Sequence, residues 1–251
     1  MNKTALITGA TSGIGQATAY IFAANGINLI LCGRRKERLE AIKKDLKGVK
    51  VHILHFDVRD KNEVFNAITS LPSHFKNIDI LINNAGNAHG LDPIQSGSIE
   101  DWDAMIDINV KGLLYVSKAV IPLMIERQSG HIINIGSLAG KETYPKGNVY
   151  CGSKHAVLAI TEGMRIDLNP FGIKVGVINP GLVETEFSKV RFKGDKSLAD
   201  NVYKGYDALQ AEDIAEIIYF AISRPPHVNI ADLLVLPTAQ ASSTVVKKSL
   251  N

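Results

Sequence analysis

Cysteine is scarce in this sequence, and its two copies lie where neither a disulfide framework nor a metal site is expected. Cys32 and Cys151 are far apart in the chain. They form neither a C-x-x-C pair nor a cysteine/histidine cluster with the spacing of metal ligands. The sequence therefore predicts reduced thiols and no metal site.

Long apolar runs and blocks of like charge are also absent. Charged residues or Asn interrupt every apolar stretch before it reaches the roughly 18 to 20 residues of a membrane span, and residues 1–7 are too short for a signal peptide. The 28 basic and 25 acidic residues give a net charge of +3, without any run of five like charges. We therefore expect a cytoplasmic protein that binds neither nucleic acid nor a membrane.

The composition that remains is that of an ordinary globular protein. Hydrophobic residues make up 45% of the chain, charged residues 21% and aromatic residues 6%, which excludes disordered, collagen-like and coiled-coil classes. A chain of 251 residues is long enough for one large α/β domain and too short for two. No linker or repeat divides it, so we predict one domain over residues 1–251.

Short apolar runs alternate with helical patterns along the whole chain. The first helical pattern consists of Ile14, Ala17, Ile21 and Phe22. An alternation of strand and helix implies right-handed crossovers and a parallel sheet covered by helices on both faces. An eightfold βα barrel is the alternative at this length, but about seven strands and the ligand motifs favour an open, doubly wound Rossmann-type sheet. The apolar runs, which suit strands buried on both faces, are residues 5–7, 29–32, 51–54, 80–82, 132–135, 175–178 and 233–236.

A glycine-rich turn joins the first strand to the first helix. In this position, backbone N–H groups can approach a pyrophosphate beside the positive end of the helix dipole. A glycine cluster by itself is often only a turn, so the strand–turn–helix context carries the prediction of a nucleotide-binding loop. The strand at residues 4–8 runs into Gly9, Ala10, Thr11, Ser12, Gly13, Ile14 and Gly15, with the spacing G-x-x-x-G-x-G.

Two arginines, Arg34 and Arg35, follow the second strand. NAD-binding domains place a carboxylate here on the ribose 2′-hydroxyl, whereas guanidinium groups bind a 2′-phosphate bidentately. Two cations at a helix N-terminus are also unfavourable unless an anion is nearby. We therefore predict NADP rather than NAD as the cofactor, with Arg34 the stronger candidate. The alternative is that both arginines are solvated residues at the start of a helix.

Polar stretches follow the later strands, at the edge where open α/β sheets bind ligands. Together with the glycine-rich turn, this ordered set resembles the short-chain dehydrogenase/reductase family over essentially the whole chain. A Y-x-x-x-K pair alone is common by chance, so the combination carries the resemblance. The matching residues are Thr8, Gly9, Gly13 and Gly15 in the turn, Asn83, Asn84, Ala85 and Gly86 after the fourth strand, then Asn109, Ser137, Tyr150 and Lys154.

Tyr150 and Lys154 suit the proton transfer that accompanies hydride transfer from a nicotinamide. Tyrosine has an ordinary pKa near 10, so we expect a positive charge to stabilise its phenolate. Lys154, four residues later on the same helix face, is placed to do so. The resemblance further implies that Lys154 holds the ribose hydroxyls, that Ser137 binds the substrate oxygen, and that Asn109 anchors a water in the proton relay. Ser137 could instead be a helix cap, and Asn109 a helix-interior residue that bonds the backbone.

The resemblance also implies the remaining cofactor contacts. Asp57 would bind the adenine amino group beside the Val58 N–H, although Asp57 could instead cap the next helix. Asn84 would have a mainly structural role beside the cofactor. The segment after the sixth strand would hold the carboxamide and pyrophosphate, through Pro180, Gly181, Val183 and Thr185.

The stretch from Pro180 to Asp195 is similar to the NADP-dependent 3-hydroxy acid dehydrogenase branch of this family. That similarity implies a small-molecule substrate, with serine or allo-threonine oxidised. It also implies that the protein is a homotetramer. A substrate carboxylate needs a cation, and Arg191 in the segment after Pro180 is the candidate; a solvated arginine beside Lys189 and Lys193 is the alternative. Two other functions stay open: a reductase of bulkier ketones such as 3-oxoacyl or steroid-like substrates, and a catalytically silent NADP-binding sensor.

Overall fold

The computed structural model of the protein describes residues 2–249. Within that range seven strands form one parallel sheet, and two short strands form a second. The strands are β1 (Thr4–Thr8), β2 (Asn28–Gly33), β3 (Val51–His55), β4 (Ile80–Asn83), β5 (Gly130–Ile135), β6 (Ile173–Pro180), β7 (Val183–Glu184), β8 (Leu209–Gln210) and β9 (Asp232–Val235).

Helices connect these strands. A π-helical turn, Asp107–Gly112, makes the fourth and fifth helices one continuous segment. The helices are α1 (Gly13–Ala24), α2 (Lys36–Asp45), α3 (Lys61–Thr69), α4 (Ile99–Ile106), α5 (Leu113–Glu126), α6 (Asn148–Leu168), α7 (Phe187–Arg191), α8 (Lys196–Tyr203) and α9 (Ala211–Ile222).

The large sheet has the spatial order β3–β2–β1–β4–β5–β6–β9, and all of its pairs are parallel. This confirms the predicted doubly wound α/β sheet and its number of strands. The direction of winding reverses between β1 and β4, which is where an open sheet of this kind forms a ligand-binding crevice.

Alternating residues of each central strand pack on opposite faces of the sheet. In β1, Ala5 and Ile7 lie in an apolar cluster with residues of α1, α2 and α9. Leu6, between them, lies in a second cluster with residues of α3, α5 and α6. Burial on both faces explains why these strands read as continuous apolar runs.

Residues that favour helix ends lie at the ends of several helices, as the sequence predicts. The Ser98 side chain accepts a hydrogen bond from the Asp101 N–H at the start of α4. Gly26 (φ +75°) follows α1, and Gly172 (φ +67°) follows the turn after α6; both have the left-handed conformation that ends helices.

One helical segment bears on the expectation that no stretch spans a membrane. Ile99–Glu126, 28 residues long, is long and apolar enough to cross a membrane by length and composition alone. Its Val116, Val120 and Met124 are buried against the sheet, and a core helix of a soluble protein passes the same test. Lys111 and Lys118 still interrupt its apolar part, so one helix of this kind is weak evidence of a membrane span.

Candidate active site

A cleft of about 720 Å³ opens at the carboxyl ends of the strands on both sides of the reversal between β1 and β4. Its volume is within the usual range for small-molecule sites, roughly 300–1,000 Å³. Of the residues given a catalytic, cofactor-binding or substrate-binding role from the sequence, Gly15 and Asn109 do not line it. Those that do are Gly9, Thr11, Ser12, Gly13, Ile14, Arg34, Arg35, Asp57, Val58, Asn84, Ala85, Gly86, Ser137, Tyr150, Lys154, Pro180, Gly181, Val183, Thr185 and Arg191.

Gly9 and Gly13 shape the turn that borders the cleft. Their φ angles are +65° and +52°, which L side chains rarely adopt. A Cβ atom at Gly9 would lie 2.8 Å from Asn84 Nδ2, and one at Gly13 would lie 3.2 Å from the Thr185 side chain. At Gly15 a Cβ would collide with Asn84 Nδ2 and the Gly9 carbonyl. Gly15 therefore allows close packing behind the turn, and its direct contact with a ligand stays a prediction.

The N-terminal end of α1 is suited to an anion. Ser12 is its N-cap residue, yet within residues 2–249 the Ser12 side chain makes no capping bond, and the first turn holds no acidic residue. The Ser12 hydroxyl accepts a hydrogen bond from Arg35 instead, at 2.6 Å. The first N–H groups of α1 and the positive end of its dipole are thus left for a phosphate group.

Arg34 lies at the rim of the cleft with a single weak partner. Among the described residues its side chain donates one hydrogen bond, from Nη1 to Asp57 Oδ2 at 3.5 Å, and it is 58% exposed. Asp57 binds Arg59 more closely, at 2.7 Å. Burial acts to raise the pKa of Asp57, but hydrogen bonds and charge from Arg59, with the charge of Arg34, lower it overall. Asp57 is not a helix cap, because Asp60 caps α3.

Asn84 holds the two halves of the cleft floor together. Its Nδ2 donates to the Thr8 carbonyl at 2.8 Å, and its N–H donates to Thr8 Oγ1 at 3.0 Å. The N–H of Ala85 donates to the same hydroxyl at 2.9 Å. These bonds tie the end of β1 to the end of β4, in agreement with the structural role expected for Asn84.

Asn109 lies in the π-helical turn, and its side chain is occupied by the protein itself. Its Oδ1 accepts from the Asn87 N–H at 2.8 Å, while its Nδ2 donates to the Asn87 carbonyl at 2.8 Å and to Ser153 Oγ at 3.0 Å. The side chain thus bonds the backbone, which was the alternative considered from sequence. A π-turn inside a helix often marks a functional position, and here it directs Asn109 onto the loop after β4. Any part of Asn109 in a water relay remains a proposal.

Ser137, Tyr150 and Lys154 all line the cleft. Ser137 follows β5, and its hydroxyl accepts the Ala139 N–H at 3.1 Å, so it caps a short helical turn as well as lining the cleft. Tyr150 and Lys154 are 7% and 6% exposed on the first turns of α6. Lys154 Nζ donates to the Ile135 carbonyl at 2.9 Å.

The protonation of Tyr150 differs from the sequence-based expectation. Burial raises the pKa of Tyr150 above its ordinary value, and the hydroxyl of Ser137 acts in the opposite direction without reversing the shift. Burial also lowers the pKa of Lys154 to about 8. In the protein without cofactor, burial therefore outweighs any lowering of the Tyr150 pKa by Lys154. The stabilisation of the phenolate by Lys154 stays a prediction for the protein with its cofactor bound. A neutral tyrosine at physiological pH can serve as a proton donor.

The short helix α7, which we call the flap (Phe187–Arg191), borders the cleft. The Phe187 ring lies 5.7 Å from the Tyr150 ring. The Arg191 guanidinium carbon lies 5.6 Å from the centres of the Tyr144 and Tyr150 rings. Arg191 also donates to the Gly90 carbonyl at 3.2 Å and to the Tyr144 hydroxyl at 3.0 Å. It is thus a fixed cation beside Tyr150 and not a solvated surface arginine.

Several cleft residues carry no local sequence signal. Glu186 forms ion pairs with Arg35 at 2.8 Å and with Arg38 at 2.9 Å. Gln240 Oε1 accepts the Leu182 N–H at 2.9 Å, just after β6. These contacts join parts of the chain that are distant in sequence, so only a tertiary structure reveals them. The cleft residues that sequence reasoning did not select include Asn87, Tyr144, Glu186, Phe187, Ser188, Tyr203, Gln240 and Ser243.

Comparisons with known proteins agree with this architecture. The family model described as short chain dehydrogenase matches residues 3–196. The NADP-dependent 3-hydroxy acid dehydrogenase YdfG of Salmonella typhi is 46% identical over 237 residues, which cover 94% of this chain and 95% of that protein. Sulfoacetaldehyde reductase of Chromohalobacter salexigens is 46% identical over 245 residues, 97% of each chain.

A solved structure is similar over nearly the full chain. The closed form of serine dehydrogenase complexed with NADP⁺ has a TM-score of 0.94 and 43% identity, and the match covers 98% of this chain and 100% of that one. The similarity therefore extends through the flap and the C-terminal part of the fold as well as the nucleotide-binding half.

Proposed function

This chain belongs to the short-chain dehydrogenase family, and we propose that it is an NADP-dependent oxidoreductase that acts on small 3-hydroxy acids or their semialdehydes. The observation that carries the proposal is the meeting of Ser137, Tyr150 and Lys154 in one cleft whose rim holds Arg34. The relatives named for NADP-dependent 3-hydroxy acid and serine dehydrogenases support it. Residues 1–251 would act as one cofactor-binding and catalytic domain.

The site residues have complementary parts in this reaction. When bound, NADPH supplies the hydride that is added to a carbonyl carbon. Tyr150, neutral because burial raises its pKa, donates a proton to the developing alkoxide. Ser137 holds the same oxygen by a hydrogen bond, and the buried ammonium of Lys154 compensates negative charge that develops on Tyr150.

The charges around the cleft fit an NADP phosphate better than the ribose hydroxyl of NAD. Arg34 has guanidinium donors left over after its weak bond to Asp57, and Asp57 itself is neutralised by Arg59. Gly9 and Gly13 have no Cβ atoms where the backbone would approach the pyrophosphate, and the N-terminal end of α1 faces the same turn.

The substrate class follows from the cation beside Tyr150. Arg191 presents its guanidinium near the proton donor, bonded to Tyr144 and Gly90. A 3-hydroxy acid and sulfoacetaldehyde, named in two relatives, share one chemical feature: a single carbon separates the reacting carbon from an anionic group. We propose that Arg191 binds this anion.

Replacement of Arg191 by alanine tests that assignment. We expect Arg191→Ala to raise KM for a 3-hydroxy acid roughly 10- to 100-fold, because charge-assisted hydrogen bonds to the carboxylate are lost. KM for a neutral alcohol of the same size should change much less. Lys189→Ala, in the same flap but outside the cleft lining, is the matched control. An equal increase in KM for the 3-hydroxy acid and for the neutral alcohol would contradict carboxylate recognition by Arg191.

A spectrophotometric screen tests the function as a whole. Serine, allo-threonine, 3-hydroxyisobutyrate and isethionate are each incubated with NADP⁺ and with NAD⁺, and reduced nicotinamide is followed by absorbance. We expect turnover of at least one acid, with a higher kcat/KM for NADP⁺. Turnover confined to bulky neutral ketones in the reverse direction would favour the alternative reductase, and tight NADP⁺ binding without any turnover would favour a sensor.

Exposed apolar side chains on α6 and α9 bear on the assembly of the protein. We propose a cytoplasmic homotetramer, because two separate surfaces carry exposed apolar side chains: Ile166 on α6 and Phe220 on α9 are 67% and 46% exposed, as expected for the two interfaces of a tetramer with twofold symmetry. Sedimentation equilibrium should give the mass of four chains, and Ile166→Asp and Phe220→Asp should each give dimers. A monomeric wild-type protein would contradict the proposal.

A further inference from the structure

Glu186 joins two parts of the cleft that the reaction uses for different ligands. It directly precedes the flap and is its N-cap residue. Its carboxylate accepts hydrogen bonds from Arg35 Nη1 at 2.8 Å and from Arg38 Nη1 at 2.9 and 3.0 Å. Hydrogen bonds from Arg35, together with Arg38, lower the pKa of Glu186 against the opposing effect of burial, so the carboxylate is ionised at neutral pH.

Arg35 is fastened to the glycine-rich turn on its other side. Its Nε and Nη2 donate to Thr11 Oγ1 at 3.0 and 2.7 Å, and its Nη2 donates to Ser12 Oγ at 2.6 Å. Four of the five guanidinium N–H groups are thus engaged when the bond to Glu186 is counted. Arg35 is therefore a connector between the turn and Glu186, whereas Arg34 keeps its donors for phosphate.

The far end of the flap reaches the substrate side of the cleft. Arg191 donates to the Gly90 carbonyl and the Tyr144 hydroxyl, and its own carbonyl accepts the Gly90 N–H at 3.0 Å. Phe187 packs on the Tyr150 ring. The flap consequently extends from the pyrophosphate turn at Glu186 to the proposed anion-binding group at Arg191.

We propose that Glu186 is a positioning residue that locks the flap to the glycine-rich turn, so that ordering of the turn by the cofactor also orders Arg191 and Phe187 at the substrate. The proposal rests on the proposed function for its substrate and cofactor. It predicts that the phosphate end and the substrate end of the cleft are energetically coupled, with the coupling carried by the ion pairs of Glu186 to Arg35 and Arg38. Each such pair would be weak alone at this exposure, but one carboxylate shared by two guanidinium groups forms a network.

The chain offers a matched pair of variants. Glu186→Gln keeps the size of the side chain and removes its charge. Glu184→Gln makes the same change two residues earlier, at an exposed carboxylate that has no hydrogen bond or ion pair from its side chain within the described part of the chain. Arg38→Gln removes the other partner without touching the cleft lining.

Hydrogen exchange of the flap is the direct measurement, because it needs no catalysis. In the protein without cofactor, we expect amide exchange in residues 187–191 to be about 3- to 10-fold faster in Glu186→Gln than in wild type, and unchanged in Glu184→Gln. On addition of NADP⁺, exchange in residues 9–15 should slow in all three proteins. Amide exchange in the flap should also slow in wild type and Glu184→Gln. In Glu186→Gln, exchange in the flap should slow much less.

Kinetics supply the second readout. For Glu186→Gln we expect KM for the acid substrate to rise roughly 10-fold, with the Kd of NADPH changed less than about 3-fold. Arg38→Gln should raise the same KM by a smaller factor, because Arg35 still binds Glu186. The double variant should resemble Glu186→Gln, because that substitution already removes the ion pair with Arg38.

Unchanged flap exchange in Glu186→Gln, or additive effects of the two substitutions, would overturn the proposal. A tighter Kd for NADPH in Glu186→Gln would also overturn it, since Glu186 would then be a competitor of the phosphate. Failure of the proposed function is a separate result, recognised by a wild-type protein that binds no NADP⁺ or turns over no acid. The exchange difference in the cofactor-free proteins would still be interpretable in that case.

Discussion

Tyr150→Phe should reduce kcat roughly 10²- to 10⁴-fold while leaving the binding of NADPH nearly unchanged. The substitution removes only the hydroxyl that donates the proton and retains the ring that packs against Phe187. Without the hydroxyl, the alkoxide must take its proton from water in a largely buried site. The loss should therefore be seen in kcat and kcat/KM alike, which is the signature of an interaction made in the transition state.

The pH dependence of kcat makes this prediction sharper. Because burial raises the pKa of Tyr150, the group stays protonated through neutral pH. Carbonyl reduction needs that protonated form, so wild-type kcat should hold through neutral pH and fall on the alkaline side, where Lys154, with a pKa of about 8, loses its proton before Tyr150. The residual activity of Tyr150→Phe should keep the fall due to Lys154 and lack the one due to Tyr150.

Tyr219→Phe is the control for removal of a tyrosine hydroxyl elsewhere. Tyr219 lies on α9, packs against Phe22 and does not line the cleft. The kcat of Tyr219→Phe should therefore equal that of wild type. Near-normal kcat in Tyr150→Phe, with normal folding and NADPH affinity, would refute the role of Tyr150 as the proton donor.

Arg34→Asp should reverse the cofactor preference. The ratio of kcat/KM for NADPH to that for NADH should fall at least about 100-fold, because a charged hydrogen-bonding partner of the phosphate is lost and a like charge takes its place. The new carboxylate can also accept a hydrogen bond from the ribose 2′-hydroxyl of NADH.

Arg59→Gln provides the matched control. Arg59 pairs with the same carboxylate, Asp57, and is exposed to a similar degree, but it does not line the cleft. Loss of Arg59 leaves Asp57 less neutralised, so the cofactor ratio should fall, but by much less than in Arg34→Asp. If Arg34→Asp and Arg59→Gln changed the ratio equally, the effect would belong to Asp57 and the assignment of Arg34 to the phosphate would be wrong.

The fold was predictable because its strands are buried on both faces. Short, continuous apolar runs that recur between helical patterns, such as that of β1, indicate a parallel sheet covered on both sides. Ligand-binding residues follow the carboxyl ends of those strands, so the order of the motifs along the chain predicted which residues share the cleft. Asn84 illustrates this point, since it follows β4 and bonds to Thr8 at the end of the neighbouring β1.

Contacts between distant segments were not predictable in the same way. Glu186 binds Arg35 across 151 positions of sequence, and no local pattern distinguishes it from Glu184.

The spacing of residues on a helix predicted side-chain contacts only in part. Lys154 lies on the same face as Tyr150, yet its Nζ bonds to the Ile135 carbonyl, and burial decides the direction of both pKa shifts.

Transfer of deuterium from the nicotinamide to the substrate tests the central claim most directly. NADPH carrying deuterium at the transferable position is incubated with the semialdehyde of a 3-hydroxy acid, and the product is analysed by mass spectrometry. The account predicts one deuterium on the carbinol carbon of the product for wild type, and a rate of label transfer lower by roughly 10²- to 10⁴-fold for Tyr150→Phe. An unlabelled product, or no product from a wild-type protein that binds NADPH tightly, would contradict it.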